Sequence, residues 1–494
     1  MADASAVTLS GTSDFSQSRL ESDSLGAVTL PADCLYGVHT WRAARNFPLS
    51  GRGLAQEPVF LDALLRVKEA AARTNRALGC LAPDQAQAII DACRALLDGA
   101  HRDAFIVDLM EGAGGTSWNM NVNEVVANLG LIALGHRPGE HRHLHPNDHV
   151  NLCQSTNDVI PTAIQLAAWS HGDGLVAALN RLADALGARA ADFADALRLG
   201  RTCLQDAQPM TLGQAFGGYA SLVRRLARQL GALLPGLGAV PLGGTAIGVG
   251  FGAVPGYRER ALAELSALTG RSLRAPDDPF DAMQNADALS RLSGELRTAG
   301  LALAKLAGDV SLLASGPVGG FGEVTLPPLQ SGSSIMPGKV NPVMPMTLAQ
   351  VGFAVAGNDA CVAMAAQQGQ LEINAFGPVI ASRLFESFAL LTRGVALFTD
   401  QCVNGMTANR QRCLDHLLAS DAVATALLPR VGYARAAELV KGARHAGQPL
   451  LDALEQAGVL TRDEALALIR EAAMAPNGAA IGAPNGVAVS VPHV

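Results

Sequence analysis

Apolar positions recur at helical spacing over long stretches of the chain. Leu289, Leu292, Leu296, Ala299, Leu303, Leu306, Val310 and Leu313 follow one another at alternating intervals of three and four, the seam of a packed helix. Gly294, Gly300 and Gly308 fall inside this seam. Each costs about 1 kcal/mol against alanine in a helix interior, so close packing of neighbouring helices is expected there. Pro317 closes the segment. A second seam runs Leu175, Leu179, Leu182, Leu186, Ala190, Phe193, Leu197. A third runs Phe216, Tyr219, Val223, Leu226, Leu230, Leu233 and is closed by Pro235. The proline-free segments 347–368 and 382–407 also predict helices.

An apolar seam has to bury against another helix. The expectation is an all-α protein with a central long-helix bundle over 155–410, an N-terminal domain over 19–154 and a small helical C-terminal domain over 411–474. So many seams also predict packing between subunits. Residues 1–18 read as a flexible leader. The repeated Ala-Pro-Asn-Gly unit at Ala475–Gly478 and Ala483–Gly486 makes 475–494 a disordered tail by composition.

Composition narrows the partners. Hydrophobic residues make up 49% of the 494 positions and charged residues 16%, which excludes wholesale disorder. Aromatics are only 4%, so the core rests on Ala, Leu and Val, which favours close-packed helices over a β-sandwich. Lys plus Arg is 37 against 44 Asp plus Glu, a net charge of −7, so no broad basic surface for nucleic acid is implied. Eight scattered cysteines without a CxxC read as reduced thiols, and the N-terminus lacks the apolar segment of a signal peptide. No membrane span is expected, and the location implied is cytoplasmic.

Five stretches interrupt the apolar pattern with Gly, Ser, Thr, Asn and Lys: 111–124, 145–158, 200–206, 242–248 and 331–342. Taken singly, the first four read as polar turns or helix caps. The fifth, Ser331-Gly-Ser-Ser-Ile-Met-Pro-Gly-Lys-Val-Asn-Pro342, joins flexible glycines to hydroxyls and a cation. That suits a lid over an anionic substrate. Donors at Thr116, Ser117, Asn119, Ser155, Thr156, Asn157 and Thr202, with charge from Lys339 and Arg201, can satisfy carboxylate oxygens. There is no phosphate-cradling GxxxxGK[ST].

Together the five stretches resemble the aspartase/fumarase superfamily. Gly332–Pro342 matches its highly specific signature. Leu35–Thr40, Asn46–Ser50, His145–Asn151, Gln154–Asp158 and Pro209–Gln214 resemble its aspartate ammonia-lyase branch, over about residues 18–450. The resemblance implies a three-domain helical fold and a homotetramer whose active sites are each built from three subunits. It implies reversible anti-elimination of an amine or water from a substituted succinate to give fumarate. The substrate it implies is a small dicarboxylate, with no organic cofactor. Ser333 would be the catalytic base. Thr116, Ser155, Thr156 and Ser334 would surround the β-carboxylate, and Lys339, Asn341 and Thr202 would hold the α-carboxylate. Asn157 and Thr156 would contact the leaving amine, with Ser117, Asn119, Cys203 and Met336 completing the substrate wall. Proton removal puts a second negative charge on the β-carboxylate, and each preorganised donor there is worth about 3 kcal/mol.

Cys203 stands where many relatives carry His, and Met346 where they carry Glu, so a polar pair is replaced by an apolar one on the leaving-group side. This predicts a leaving group other than water, and admits one bulkier than ammonia. A fumarase-like hydratase, a lyase for another substituted succinate and a retired structural paralogue are the alternatives. Cys203 is expected to be a small buried thiol in a pocket wall. His141, His143, His145 and His149 form a cluster. The favoured reading places His145 and His149 in the polar motif and His141 and His143 in an exposed loop, with metal binding the minor alternative. Trp118 fits core or pocket wall, and Tyr36 and His39 fit the site or an N-terminal anchor.

Overall fold

The computed structural model describes residues 18–474. The expected leader and tail lie outside the described residues, apart from Ser18, which opens a strand. The described residues are predominantly helical, with three two-stranded antiparallel sheets among them. The three apolar seams fall on the helices Asp287–Leu313, Thr156–Asp192 and Leu212–Leu233. The second seam overshoots its helix: Leu197 opens a strand, Leu197–Thr202. Its side chain is buried in the strand as a seam position would be in a helix, so apolar spacing alone could not mark the boundary. The two remaining helices are Val343–Ala366 and Gly377–Phe398, each beginning before its expected start. Both carry proline in the first turn, Pro345 and Pro378. Proline is tolerated there because the first-turn N–H groups have no intrahelical partner.

The chain divides into two compact units, each discontinuous in sequence. The first takes the chain up to Gly174 with Leu230–Leu296 and Gly357–Ala389; the second takes Leu175–Gln229, Arg297–Ala356 and the chain from Leu390.

In the first unit the helices Pro58–Ala77, Pro83–Leu97 and Thr116–Ala133 bury Phe60, Leu64, Ile89, Trp118 and Val122. Trp118 is core: its ring meets Phe60 edge-on at 5.1 Å and its Nε1–H donates to the Asp108 carbonyl at 3.0 Å. Tyr36 and His39 belong to an anchor. The buried Glu124 carboxylate accepts the backbone N–H groups of Gly37, His39 and Thr40 at 2.8, 2.9 and 3.1 Å, which caps the helix Val38–Asn46. A Cβ on Gly37 would stand 2.7 Å from that carboxyl, so only glycine fits.

In the second unit Gly300 faces Gly352 across two helices, as the glycine argument requires. Gly308 has open space instead, so tight packing within this chain does not explain it. A separate apolar cluster joins Leu199, Leu417, Val423, Leu427, Leu451 and Ile469. A Cβ on Gly352 would lie 2.5 Å from the Gly300 carbonyl and 3.0 Å from the Ala304 methyl. Gly352→Ala should therefore cost about 1–3 kcal/mol by overpacking, read as a lowered melting temperature, despite alanine's better helix propensity.

Candidate active site

Three of the five polar stretches meet in the first unit. Asp158 is fully buried near the start of the 37-residue helix Thr156–Asp192. Its carboxylate accepts the Ser155 N–H at 2.9 Å and the N–H groups of Gly243 and Thr245 at 3.0 and 2.9 Å. One buried side chain thus clamps the 242–248 stretch to the 145–158 stretch, and burial raises its pKa to about 6. Asn157 Nδ2 donates to the Ala246 carbonyl at 2.8 Å, which leaves Oδ1 as the acceptor side of that amide. The 111–124 stretch joins through Asn119, whose Nδ2 reaches Thr156 Oγ1 at 3.3 Å.

Thr116 and Thr156 each open a helix, so both hydroxyls stand at positive helix ends. Gly115 precedes Thr116 at φ +92°, and a Cβ there would collide with Ile160 at 2.7 Å. The Glu111 carboxylate accepts the N–H groups of Ala113 and Gly115 and the hydroxyl of the buried Ser117. Burial raises the Glu111 pKa against those bonds. Ser117 is thereby committed to the loop's own geometry. A cavity of about 580 Å³ in this unit is lined by Thr156, Asn157, Gly114, Asp281, Asn285 and Asn374.

Behind Asn119 lies a residue that sequence reasoning missed. Lys68 is wholly buried, and its Nζ donates to Asn151 Oδ1 at 2.9 Å and Gln154 Oε1 at 3.0 Å. Burial pushes its pKa down to about 7, with the Asp158 charge opposing the shift. The signal was present: Leu61, Leu64, Lys68, Ala71 and Asn75 keep seam spacing, so a lysine occupies a core position.

The other two stretches lie in the second unit. Ser333 Oγ accepts the backbone N–H groups of Ile335 at 3.2 Å and Met336 at 3.0 Å. The loop closes on itself: Gly332 N–H donates to the Lys339 carbonyl at 2.8 Å, and Asn341 Nδ2 donates to the Gly332 carbonyl at 2.9 Å. A Cβ on Gly332 would stand 2.8 Å from the Lys339 carbonyl, so the closure needs glycine. Ser334, Met336 and Lys339 are exposed.

Thr202 ends a strand paired with Gln205–Thr211, and Cys203 and Leu204 form the two-residue turn at φ +51° and +61°. Cys203 is exposed at that tip, which corrects the expectation of a buried thiol: a two-residue hairpin turn leaves its side chains nothing to pack against. Met346 is also exposed. Arg201 does not stand free for an anion. It pairs with the fully buried Glu323 at 2.7 Å and lies over the Phe321 ring at 4.2 Å. Arg198 and His416 hold the same carboxylate at 2.8 and 3.1 Å.

The histidines are held by their own turn. His145 Nδ1 accepts the N–H groups of Asn147 and Asp148 at 3.1 and 3.2 Å, and His149 Nδ1 accepts the His145 N–H at 2.7 Å. His141 is partly buried, which lowers its pKa, and His143 stacks on His136 at 3.7 Å. Both lie in the expected loop, half-buried rather than exposed. Among the described residues no group of three or more His, Cys, Asp or Glu is placed to hold a metal ion.

Comparison with known proteins adds an independent finding. A family model described as lyase matches residues 26–357. An aspartate ammonia-lyase of Pseudomonas aeruginosa is 44% identical over 454 residues, 92% of this chain and 95% of its own. The crystal structure of a fumarate lyase:delta crystallin from Brucella melitensis bound to cobalt superposes with a TM-score of 0.90 at 43% identity, covering 93% of this chain and all of that one. A class II fumarase from Schistosoma mansoni gives 0.86 at 34% identity, again over 93% of this chain and all of that one.

Lys68 also makes a prediction for pH. A lysine in the unfolded chain keeps its proton to about pH 10.5, whereas the folded residue loses it near 7. Between these values the unfolded chain binds the extra proton, so this residue makes stability rise with pH, by up to about 1.4 kcal/mol per unit. Asp158 titrates below that window. Unfolding free energies of parent and Lys68→Met at about pH 7.5 and 9.5 should show the rise in the parent and lose it in the variant.

Proposed function

The chain belongs to the aspartase/fumarase superfamily of lyases, and we propose that it catalyses the reversible elimination of ammonia from aspartate to give fumarate. The bond to be broken lies next to a carbon acid, so the site has to do two things. It must hold a base against the β-proton and stabilise the charge that its removal sends into the β-carboxylate.

Ser333 is the proposed base. A serine hydroxyl is far too weakly acidic unless fixed donors stabilise its anion, and the N–H groups of Ile335 and Met336 converge on its oxygen. That convergence is the observation that carries the reading. Thr116, Ser155, Thr156 and Ser334 surround the β-carboxylate, with two of these at positive helix ends. Lys339, Asn341 and Thr202 hold the α-carboxylate. Ser333, having given its hydroxyl proton to solvent before the loop closes, takes the β-proton as the alkoxide; the electron pair passes through the carboxylate-stabilised carbanion into the new double bond, and the substrate ammonium leaves with the C–N pair as neutral ammonia. Asn157 Oδ1 accepts from the departing amine, the amide being oriented by the bond from its Nδ2 to Ala246. Closure of the 331–342 loop excludes water.

The proposed assembly is a homotetramer with sites shared between subunits. In the second unit Leu301, Leu312, Met346, Phe353 and Leu397 stand exposed on the long helices, Phe353 to 63%. Large apolar side chains on helix faces call for a covering surface. The helix Val343–Ala366 is also long and apolar enough to span a membrane by length and composition. Asn358 on it donates to Glu386 Oε2 and Ser387 Oγ at 3.2 Å and Asp359 is buried within the chain, a polar content that fits a packed protein helix better than lipid. Eight free thiols fit a cytoplasmic enzyme.

Two experiments test this reading. Ser333→Ala should lower kcat for aspartate about 10²- to 10⁴-fold while a non-reacting dicarboxylate such as succinate still binds. An active variant would remove Ser333 from the role of base. Phe353→Glu should shift the sedimentation mass from tetramer toward smaller species; an unchanged mass would place the subunit contacts elsewhere.

A further inference from the structure

The hydrogen bonds behind Thr156 run in one direction. Lys68 Nζ turns its N–H groups toward the side-chain oxygens of Asn151 and Gln154. The nitrogen sides of these amides are spent on backbone carbonyls: Asn151 Nδ2 on Gln154 O at 3.2 Å, Gln154 Nε2 on Val150 O at 3.0 Å. Asn151 Oδ1 is thus pinned as an acceptor. It also receives Asn119 Nδ2 at 3.1 Å and Asn123 Nδ2 at 3.2 Å. Asn119 is buried, so its amide has to present nitrogen toward Asn151, and the second hydrogen of that nitrogen goes to Thr156 Oγ1 at 3.3 Å. Asn119 Oδ1 is left without a partner among the described residues.

We propose that Lys68 is a positioning residue that sets the hydrogen-bond polarity of the site: through Asn151 and Asn119 it makes Thr156 Oγ an acceptor on the protein side, so that its hydrogen is free for the substrate carboxylate. This rests on the reading of Thr156 as a carboxylate ligand. A flipped Asn151 would offer hydrogens to Asn119. Asn119 would then turn its oxygen inward, and Thr156 would spend its hydrogen there. Substrate would meet a lone pair where it needs a donor. The arrangement holds in either protonation state of Lys68, because a neutral amine still carries two N–H groups for the two oxygens.

A merely structural lysine would lower stability without selecting a kinetic step. The relay predicts a kinetic signature, because a donor to charge that develops in the transition state acts mainly on kcat. The test measures fumarate release from aspartate by the parent, Lys68→Met, Asn151→Leu and the double variant, with folding followed by circular dichroism. Both single variants should lose about tenfold or more in kcat with a smaller change in KM. The double variant should lose no more than either, since both break one relay. A folded Lys68→Met within twofold of the parent overturns the proposal, and so do multiplicative losses in the double variant. Should Lys68→Met not fold, Asn151→Leu alone decides: an unchanged kcat overturns the relay and a selective loss supports it. A parent silent on aspartate is a different result, which overturns the functional reading and the relay with it.

Discussion

A lysine with no exposed surface has to be solvated by the protein, and the contact of Lys68 Nζ with two amide oxygens does this. Much of the first unit's polar centre follows from it. The oxygens of Asn151 and Gln154 turn inward, their nitrogens take up backbone carbonyls, and Asn119 is left one orientation. Asp158 lies close enough to lower the cost of the buried charge, while its oxygens hold the Gly243 and Thr245 backbone against the start of the long helix. No aligned ion pair is needed: neutral acceptors with fixed geometry let the amine titrate near neutrality instead of unfolding the region.

The same economy of charge marks the second unit. Ser333 Oγ receives backbone N–H groups from its own loop, and that geometry depends on Gly332, where the two arms of the loop approach too closely for a side chain. Arg201, adjacent to Thr202, shares the fully buried Glu323 carboxylate with Arg198 and His416. The strand that carries Thr202 is thereby tied to a buried carboxylate.

The fold was legible where burial dictates residue type. Three seams identified three helices, and their ends blurred where an apolar position such as Leu197 is buried in a strand as a seam position is in a helix. Proline in a first turn hid the starts of Val343–Ala366 and Gly377–Phe398. The polar stretches were legible as departures from apolar spacing, and their family signature gave them roles. Which of them meet was not legible, since Asp158 reaches Gly243 across 85 positions of sequence. Cys203 misled because its residue type suggests burial, whereas a two-residue hairpin turn exposes it. Lys68 was overlooked because one lysine in an alanine-rich helix looks like a solvated position until its seam spacing is counted.

The chemistry at the leaving group is the centre of this account. Initial rates of fumarate formation or loss, followed by ultraviolet absorbance on one preparation, should be compared for aspartate, malate and N-substituted aspartates. Turnover of aspartate and none of malate is expected, because the His/Glu pair of many relatives is replaced by Cys203 and Met346. Turnover of malate with aspartate untouched would contradict it and make the chain a hydratase.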